Sequence, residues 1–162
     1  MKRFIENAIT ILQGYYDVLE LSPVINIDQN SQRDDLGWVL VYTIRENAAP
    51  NNNWKIFHHR LLAEQCNLFE EPRSTTTRAR RASEGDDDYR FIDGDTFAME
   101  LSSGLYYESF TLGQTSYSIR FEDINGVCKE KKVCVLGMVT EEKLDVLHHR
   151  YSVINICFGA KD

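Results

Sequence analysis

The sequence predicts a single α+β domain, in which a mainly antiparallel β-sheet is covered by two or three helices. Three observations predict this fold. Residues 116–122 alternate strictly between apolar and polar side chains, as a half-buried strand does. Asn125-Gly126 is a strong tight-turn signal, because both residues tolerate positive φ. Residues 3–21 place apolar side chains at three- and four-residue spacing, which is typical of an amphipathic helix.

We expect an antiparallel meander over residues 89–139. Apolar side chains alternate over residues 95–101, which predicts one strand, and the aromatic-rich residues 105–111 predict a second. The Asn-Gly turn would join the strand at 116–122 to a final strand. Residues 133–139 are apolar on both faces, as expected of a central strand.

The remaining elements are predicted to flank or cover this meander. Two further strands are expected near residues 37–46 and 151–158, where β-branched and aromatic residues are concentrated. Residues 54–71 predict a helix from their apolar spacing, and Thr140 is placed to cap a short helix that follows it.

Three polar stretches are expected to be surface connections. Residues 25–35 and 47–53 are rich in Asn, Asp and other turn-forming residues. Residues 72–88 contain no apolar side chain larger than Ala apart from Pro72 itself. A stretch of that composition cannot bury enough surface to offset its ordering entropy. We therefore expect a single domain over residues 1–162 with a long charged loop at 72–88.

The bulk composition narrows the classes of function. Hydrophobic residues make up 43% of the chain and charged residues 27%, which is ordinary for a globular protein. The net charge of −7 argues against a general nucleic-acid binder, since phosphate neutralisation needs an excess of Lys and Arg. No secretory signal peptide and no apolar run of membrane-spanning length is visible. The four scattered cysteines favour a reducing, cytoplasmic environment or the interior of an assembled particle.

The charged loop is the predicted interaction site. Its first half is basic and its second half is acidic, so it could face two partners of opposite charge or clasp the same loop of another copy. The residues concerned are Arg73, Arg78, Arg80, Arg81, Glu84, Asp86, Asp87 and Asp88. Within this loop Arg80-Arg81-Ala82-Ser83 also matches the site of a basic-directed protein kinase (Arg-Arg-x-Ser).

An alternative catalytic site uses the histidines, all four of which occur in two identical tripeptides. Imidazoles beside guanidinium groups suit phosphodiester chemistry if the two tripeptides converge. The residues are His58, His59, Arg60, His148, His149 and Arg150. No metal-binding spacing such as His-Glu-x-x-His accompanies them, so we expect two separate helix-end or surface pairs and no metal.

One short motif has a possible catalytic parallel. Asp93-Gly94-Asp95-Thr96 resembles the Asp-Gly-Asp-Thr stretch of staphylococcal-nuclease-like domains, over about seven residues. The resemblance would imply a nuclease, but the arginine and acidic residues that those enzymes place next are not matched here. We expect a turn between two strands at this position.

The sequence favours a non-catalytic function. We expect a protein–protein interaction or assembly subunit of a larger complex, with other protein subunits as partners, possible homo-oligomers and no cofactor. A viral or phage particle component, such as a connector or terminator, would fit the size and the charged loop. The alternatives are a small hydrolase or nuclease that uses the His-His-Arg pairs, and an acidic inhibitor that mimics nucleic acid.

Overall fold

The computed structural model describes residues 2–15, 24–27, 37–44 and 53–159. Within these ranges the chain forms five helices and nine strands in two sheets. The fold is α+β, as predicted, but both sheets contain parallel as well as antiparallel pairs, and the described helices outnumber the two or three expected. The chain divides into two compact units, Met1–Glu70 with Cys128–Asp162 and Glu71–Val127. The single domain over residues 1–162 stays a prediction.

The first unit is built on a five-stranded sheet. Its strands are β1 (Val24–Ile27), β2 (Trp38–Ile44), β3 (Phe69–Glu70), β8 (Val133–Met138) and β9 (Ser152–Phe158), in the order β1-β9-β2-β8-β3. The strands predicted near 37–46, 133–139 and 151–158 are confirmed. Their pairing differs from the prediction, because β2 runs parallel to both β8 and β9. Parallel neighbours cannot be joined by a tight turn and need a crossover connection.

Among the described residues of this unit are three helices: α1 (Lys2–Gly14), α2 (Asn53–Glu64) and α5 (Glu141–Arg150). Side chains of α1 and α2 pack with the sheet in one apolar core, which includes Leu12, Phe57 and Tyr42. Thr140 caps α5 as predicted, because its side chain accepts a hydrogen bond from the Lys143 amide.

Several helix and loop boundaries in this unit differ from those predicted. The helix predicted over 3–21 is described to residue 15, and residues 16–23 lie outside the described part. The helix predicted over 54–71 ends at Glu64, and β3 follows it. Residues 25–27 were expected in a surface connection but belong to β1, which pairs antiparallel with β9. Residues 28–35 and 47–52 of the two expected connections lie outside the described part, and Asn53 is the first residue of α2.

The second unit is built on a four-stranded sheet. Its strands are β4 (Ser74–Thr76), β5 (Tyr89–Phe91), β6 (Tyr106–Leu112) and β7 (Thr115–Arg120), in the order β5-β4-β7-β6. The strands predicted at 105–111 and 116–122 are confirmed as β6 and β7, although Phe121 and Glu122 already belong to the following helix. The tight turn between β6 and β7 lies at Gly113-Gln114, where Gly113 has φ 60.

The prediction of a strand over 95–101 is wrong, because these residues form α3 (Gly94–Ser102). Asp93, expected in a turn between strands, caps this helix by accepting a hydrogen bond from the Thr96 amide at 2.7 Å. The alternation was misleading because Met99 is exposed, whereas the buried positions are Phe97 and Glu100, three residues apart. Because one of the two buried positions is a carboxylate, the apolar residues of this segment do not repeat at helical spacing.

The hairpin predicted at Asn125-Gly126 is also wrong, and with it the antiparallel meander over 89–139. Both residues are exposed on α4 (Phe121–Lys129). Ile124 and Val127, three residues apart, are its buried positions. Acidic side chains in the first turn and Lys129 in the last suit the helix dipole, and burial of Ile124 and Val127 adds to the preference for a helix over an Asn-Gly turn.

The loop predicted over 72–88 is partly strand. Ser74–Thr76 form β4, an inner strand of its sheet, and Thr75 and Thr76 are completely buried. Threonine has a high β propensity, and its hydroxyl can be buried when it is hydrogen-bonded. The Thr76 hydroxyl donates to the Ser116 backbone oxygen at 3.2 Å. The charged loop is therefore shorter than expected, and below it means residues 77–88.

No helix within the described ranges is both long enough and apolar enough to cross a membrane.

Candidate functional site

The four-stranded sheet has one face that carries mostly aromatic and aliphatic side chains. The strand register places Phe110 beside Tyr117, Glu108 beside Ile119, and Ser74 beside Tyr89. Since paired residues project to the same side of a sheet, these side chains share one face. We call this surface the open face; its members are Ser74, Tyr89, Phe91, Glu108, Phe110, Leu112, Tyr117 and Ile119, and the buried Thr76 lies on the same side.

Aromatic side chains on the open face contact one another in a row. The rings of Phe110 and Tyr117 stack, with centroids 5.3 Å apart and planes 19° apart. Tyr117 contacts Tyr89 at 6.3 Å, and Tyr89 contacts Phe91 at 5.9 Å. The row ends in solvent, because Phe110 is 51% exposed and Leu112 is 66% exposed. A contiguous exposed apolar surface of this kind marks an interaction site more often than scattered single residues do.

A concavity of about 270 Å³ lies on this face. It is lined by residues from all four strands, among them Ser74, Tyr89, Glu108, Phe110 and Tyr117. Glu108 is the lining residue with a formal charge. The surface therefore offers aromatic contact with a carboxylate beside it.

Arginines of the charged loop border the open face on the β5 side. The Arg78 guanidinium carbon lies 5.3 Å from the ring centroid of Tyr89 and 5.8 Å from that of Phe91. The Arg80 guanidinium carbon lies 5.1 Å from the centroid of Phe91. Cations at these distances are attracted to the ring faces. The loop is thereby attached to the aromatic row and does not project freely from the sheet.

The basic and acidic halves of the charged loop pair with each other. Arg78 donates two hydrogen bonds to Glu84, at 3.0 and 2.7 Å, and Arg80 donates to Asp86. The Arg81 amide donates to the same Glu84 carboxylate at 2.8 Å. Such a bidentate pair has the best geometry that an arginine and a carboxylate can form. Much of the opposite charge predicted to attract partners is neutralised within the loop.

The Arg78–Glu84 pair also shifts the titration of both groups. The hydrogen bonds from Arg78, together with that from the Arg81 amide, lower the pKa of the Glu84 carboxyl to about 2. The same hydrogen bonds raise the pKa of Arg78 above its usual range. Both groups therefore stay ionised and paired throughout the physiological pH range.

A polar network occupies the opposite face of the same sheet. Glu100 of α3 accepts hydrogen bonds from both terminal nitrogens of Arg90 in β5, one of them at 2.9 Å, and from the Tyr106 hydroxyl at 2.6 Å. Arg90 also donates to the Thr75 hydroxyl at 3.3 Å. These bonds explain how the carboxylate of Glu100 is buried, since a buried charge needs paired donors.

The pKa values in this network follow from its contacts. Hydrogen bonds from Arg90 and then from Tyr106 lower the pKa of Glu100 to about 2, against the desolvation that opposes the charge. Burial, and next the hydrogen bond to Glu100, raise the pKa of Tyr106 to about 12. The network is internally satisfied and attaches α3 to the sheet, which is a structural role.

The remaining predicted loop residues lie around these two sites. The nearest side-chain nitrogen of Arg73 is 3.9 Å from Asp123, which in turn accepts hydrogen bonds from Arg120. Asp88 accepts a hydrogen bond from the Gly85 amide at 2.8 Å, and Asp87 is exposed. The interaction role of the loop stays a prediction.

The first histidine pair lies on α2. The Nδ1 atom of His58 is 3.0 Å from the Tyr42 hydroxyl oxygen, and its ring packs against Tyr42 and Trp54. His59 is exposed. Arg60 donates to Glu64 at 3.1 Å and lies over the Tyr15 ring. These contacts place His58 and Arg60 in the packing of the first unit.

The second histidine pair lies in the last turn of α5. His148, His149 and Arg150 are exposed there, and the Nδ1 atom of His149 is 2.7 Å from the Asp145 backbone oxygen. Basic side chains at a helix C-terminus are favourably placed in its dipole. Among the described residues, no group of three or more His, Cys, Asp or Glu side chains is arranged to hold a metal ion. The catalytic alternative stays a prediction.

Sequence reasoning missed several members of the open face. The strands predicted at 105–111 and 116–122 carry Tyr106, Tyr107 and Tyr117. Tyr117 lies on the open face, whereas Tyr107 is buried and Tyr106 belongs to the polar network. The period-two spacing of Glu108, Phe110 and Leu112 would have identified the exposed members.

Comparisons with known proteins give limited similarity. No family model matches the chain. Over 93 residues, which are 57% of this chain, the sequence is 29% identical to Protein PALS1 of Danio rerio, and the match spans 14% of that protein. The fold is similar to a crystal structure of guanylate kinase from Anaplasma phagocytophilum, with 20% identity and a TM-score of 0.46. That similarity covers 74% of this chain and 58% of the guanylate kinase chain. Neither similarity shows membership of a family.

Proposed function

We propose that the protein is a non-catalytic interaction subunit that binds another protein through the open face of its four-stranded sheet. The observation that carries the proposal is the aromatic row, which ends in the exposed side chains of Phe110 and Leu112. Covering these two side chains with a partner removes apolar surface from water, at about 25 cal/mol per Å². The occupant is an apolar side chain, or a short apolar segment, of the partner protein.

The lining of the concavity supports a protein partner. Its volume of about 270 Å³ accommodates a single large side chain. Tyr and Arg are the residue types that most often dominate binding energy at protein interfaces. Tyr89, Tyr117 and Arg78 supply both types at this surface.

The other predicted functions have less support from the described contacts. An acidic inhibitor needs carboxylates available on one surface, whereas Glu84, Asp86 and Glu100 are each paired with an arginine. The hydrolase needs the two His-His-Arg tripeptides to converge, and no described contact carries that proposal. A particle component and a homo-oligomer are narrower forms of the interaction proposal, with a second copy of this chain as the occupant in the latter.

Site-specific photo-crosslinking tests the proposal. A photoreactive amino acid at Phe110 should capture a partner that the same group at Leu101 does not, because Leu101 is similarly exposed but lies on α3. The captured protein is identified by mass spectrometry, expressed and purified. Sedimentation of the unmodified chain shows whether that partner is a second copy.

Calorimetry with the purified partner then measures affinity. The Phe110→Ser/Leu112→Ser variant should bind at least about tenfold more weakly, equivalent to about 1.4 kcal/mol. The matched control is Met99→Ser/Leu101→Ser, which removes two apolar side chains of comparable exposure from α3. The control should retain the original affinity. Equal losses in both variants, or no loss in either, would exclude the open face as the binding surface.

A further inference from the structure

Ser83 lies at an exposed tight turn of the charged loop. The Glu84 amide donates to the Arg81 backbone oxygen at 3.0 Å, which closes the turn and leaves Ala82 and Ser83 at its tip. Both tip residues are exposed. A protein kinase requires an accessible hydroxyl and a short segment that can be drawn into its active site. The loop meets the first requirement, and the hydrogen bonds that close the turn are local to the loop, so opening the turn breaks few contacts.

The basic residues that a kinase would read are accessible as well. Arg80 and Arg81 stand three and two residues before Ser83 and are both exposed. Arg80 pairs with Asp86, but the two side chains are 46% and 81% exposed. Exposed ion pairs contribute little, so acidic groups of a kinase can compete for Arg80. The Arg-Arg-Ala-Ser segment therefore presents both the recognition residues and the acceptor on one exposed turn.

We propose that Ser83 is a phosphorylation site for a basic-directed protein kinase, and that the phosphate separates Glu84 from Arg78. In the reaction the Ser83 Oγ forms a bond to the γ-phosphorus of a nucleoside triphosphate. The bond from that phosphorus to the bridging oxygen of the nucleoside diphosphate breaks, and the hydroxyl proton passes to the base of the kinase.

The consequence follows from the position of Glu84 beside Ser83. A phosphoserine carries about −1.5 to −2 charges at neutral pH. Glu84, the next residue, holds its carboxylate on both terminal nitrogens of Arg78 and on the Arg81 amide. The phosphate repels this carboxylate and supplies a stronger acceptor for the same arginines. Arg78 borders the open face through Tyr89, so its change of partner alters the charge at the edge of that surface.

The phosphorylation itself does not depend on what the open face binds, whereas its effect on binding rests on the proposed function. The first experiment incubates the full chain with Mg²⁺, ATP and the catalytic subunit of a basic-directed kinase, followed by intact-mass analysis and peptide mapping. One phosphoryl group is expected on Ser83. Ser83→Ala should accept none, and Arg80→Gln/Arg81→Gln should react at least tenfold more slowly. Phosphate on another residue, or an unchanged rate in the arginine variant, would overturn the assignment.

The second experiment measures amide hydrogen exchange before and after phosphorylation. The Arg81 amide, held by Glu84, should exchange several-fold faster once the carboxylate is displaced. The Thr96 amide is a matched control, since it is held by the Asp93 carboxylate three residues away. It should not change. Equal exchange at Arg81 in both forms would show that the phosphate leaves the Glu84 contacts intact.

Binding of the purified partner separates the two proposals. If phosphorylated protein binds with altered affinity and Phe110→Ser/Leu112→Ser weakens binding at least tenfold, both are supported. Unchanged affinity after stoichiometric phosphorylation refutes the regulatory effect alone, while the response to the serine substitutions still tests the open face.

Discussion

The Arg90–Glu100 pair gives the sharpest test of what stabilises the second unit. Arg90→Met removes the guanidinium and keeps an apolar stem of similar length, so the change isolates the charge. In the variant Glu100 retains the hydrogen bond from Tyr106 and loses both bonds from Arg90. The buried Glu100 carboxylate would then be left with a single strong donor.

The expected loss of stability in Arg90→Met follows from the burial of the pair and from the number of hydrogen bonds removed. Removing one partner of a fully buried ion pair costs about 3–5 kcal/mol. The Arg90 and Glu100 side chains keep 19% and 10% exposure, so water can reach the orphaned carboxylate in part. We therefore expect about 2–3 kcal/mol for Arg90→Met. The double variant Arg90→Met/Glu100→Leu removes both charges and should be less destabilised than Arg90→Met alone.

The assay must report on the second unit. Both tryptophans, Trp38 and Trp54, lie outside residues 71–127, so tryptophan fluorescence would follow the first unit. Urea unfolding by far-UV circular dichroism, combined with amide exchange of β7 residues, is suitable. The control cycle is Arg80→Met and Asp86→Ala, an exposed pair of the same unit at 46% and 81%, which should couple by at most about 1 kcal/mol.

Two outcomes would contradict this account of the Arg90–Glu100 pair. If the double variant is less stable than Arg90→Met, the charge of Glu100 is not the source of the loss. Equal coupling in the buried and exposed pairs would show that burial does not strengthen the interaction. Either result would leave the packing of α3, and not its ion pair, as the main contribution.

Three further predictions concern single residues. Because the pKa of Glu100 is lowered from 4.5 to about 2, its contribution to stability is full above about pH 4.5 and is lost as the pH falls towards 2. The unfolding free energy of Glu100→Gln should therefore fall less steeply over this pH range, and the same slope as in the unmodified protein would contradict this. Asp93→Ala should cost about 1 kcal/mol in urea unfolding and speed exchange of the Thr96 amide, whereas Asp93→Asn should retain most of the stability; equal losses would argue against capping. Gly37→Ala should destabilise by about 1–3 kcal/mol, because its new methyl group would overlap the Cβ and Sγ atoms of Cys128, and an unchanged thermal midpoint would refute that close packing.

Strands with alternating or continuous apolar patterns were predictable from the sequence. β2, β6, β7, β8 and β9 were all located correctly, because their composition and period agree with their burial. The pairing of these strands was not predictable in the same way. Whether two neighbouring strands run parallel depends on which segments cross the sheet between them. The local sequence pattern of a strand does not contain that information.

The two wrong elements share a physical cause. In α3 the buried position after Phe97 is Glu100, whose polarity interrupts the apolar spacing until its partner Arg90 is known. In α4 the Asn125-Gly126 pair is a strong turn signal, but Ile124 and Val127 gain more from burial in a helix. Tertiary contacts overrode local preference in both cases.

Part of the open face could be predicted from the sequence. The period-two spacing of Glu108, Phe110 and Leu112 indicates a common side, but their exposure depends on what covers the sheet. The stacking of Arg78 on Tyr89 depends on β4 pairing with β5, across the charged loop. Contacts of that range cannot be read from the sequence of either segment alone.

The pairing of β3 with β8 has a consequence for how such a chain can change over evolutionary time. Phe69 and Val133 are direct partners in the first sheet, so the intervening segment leaves and re-enters at neighbouring strands. The two strands run parallel, so the segment between them needs about a dozen residues or more to cross back, far fewer than lie between Glu70 and Val133. Residues 71–127 can therefore lengthen, shorten or diverge in sequence while the two strands that flank them stay paired.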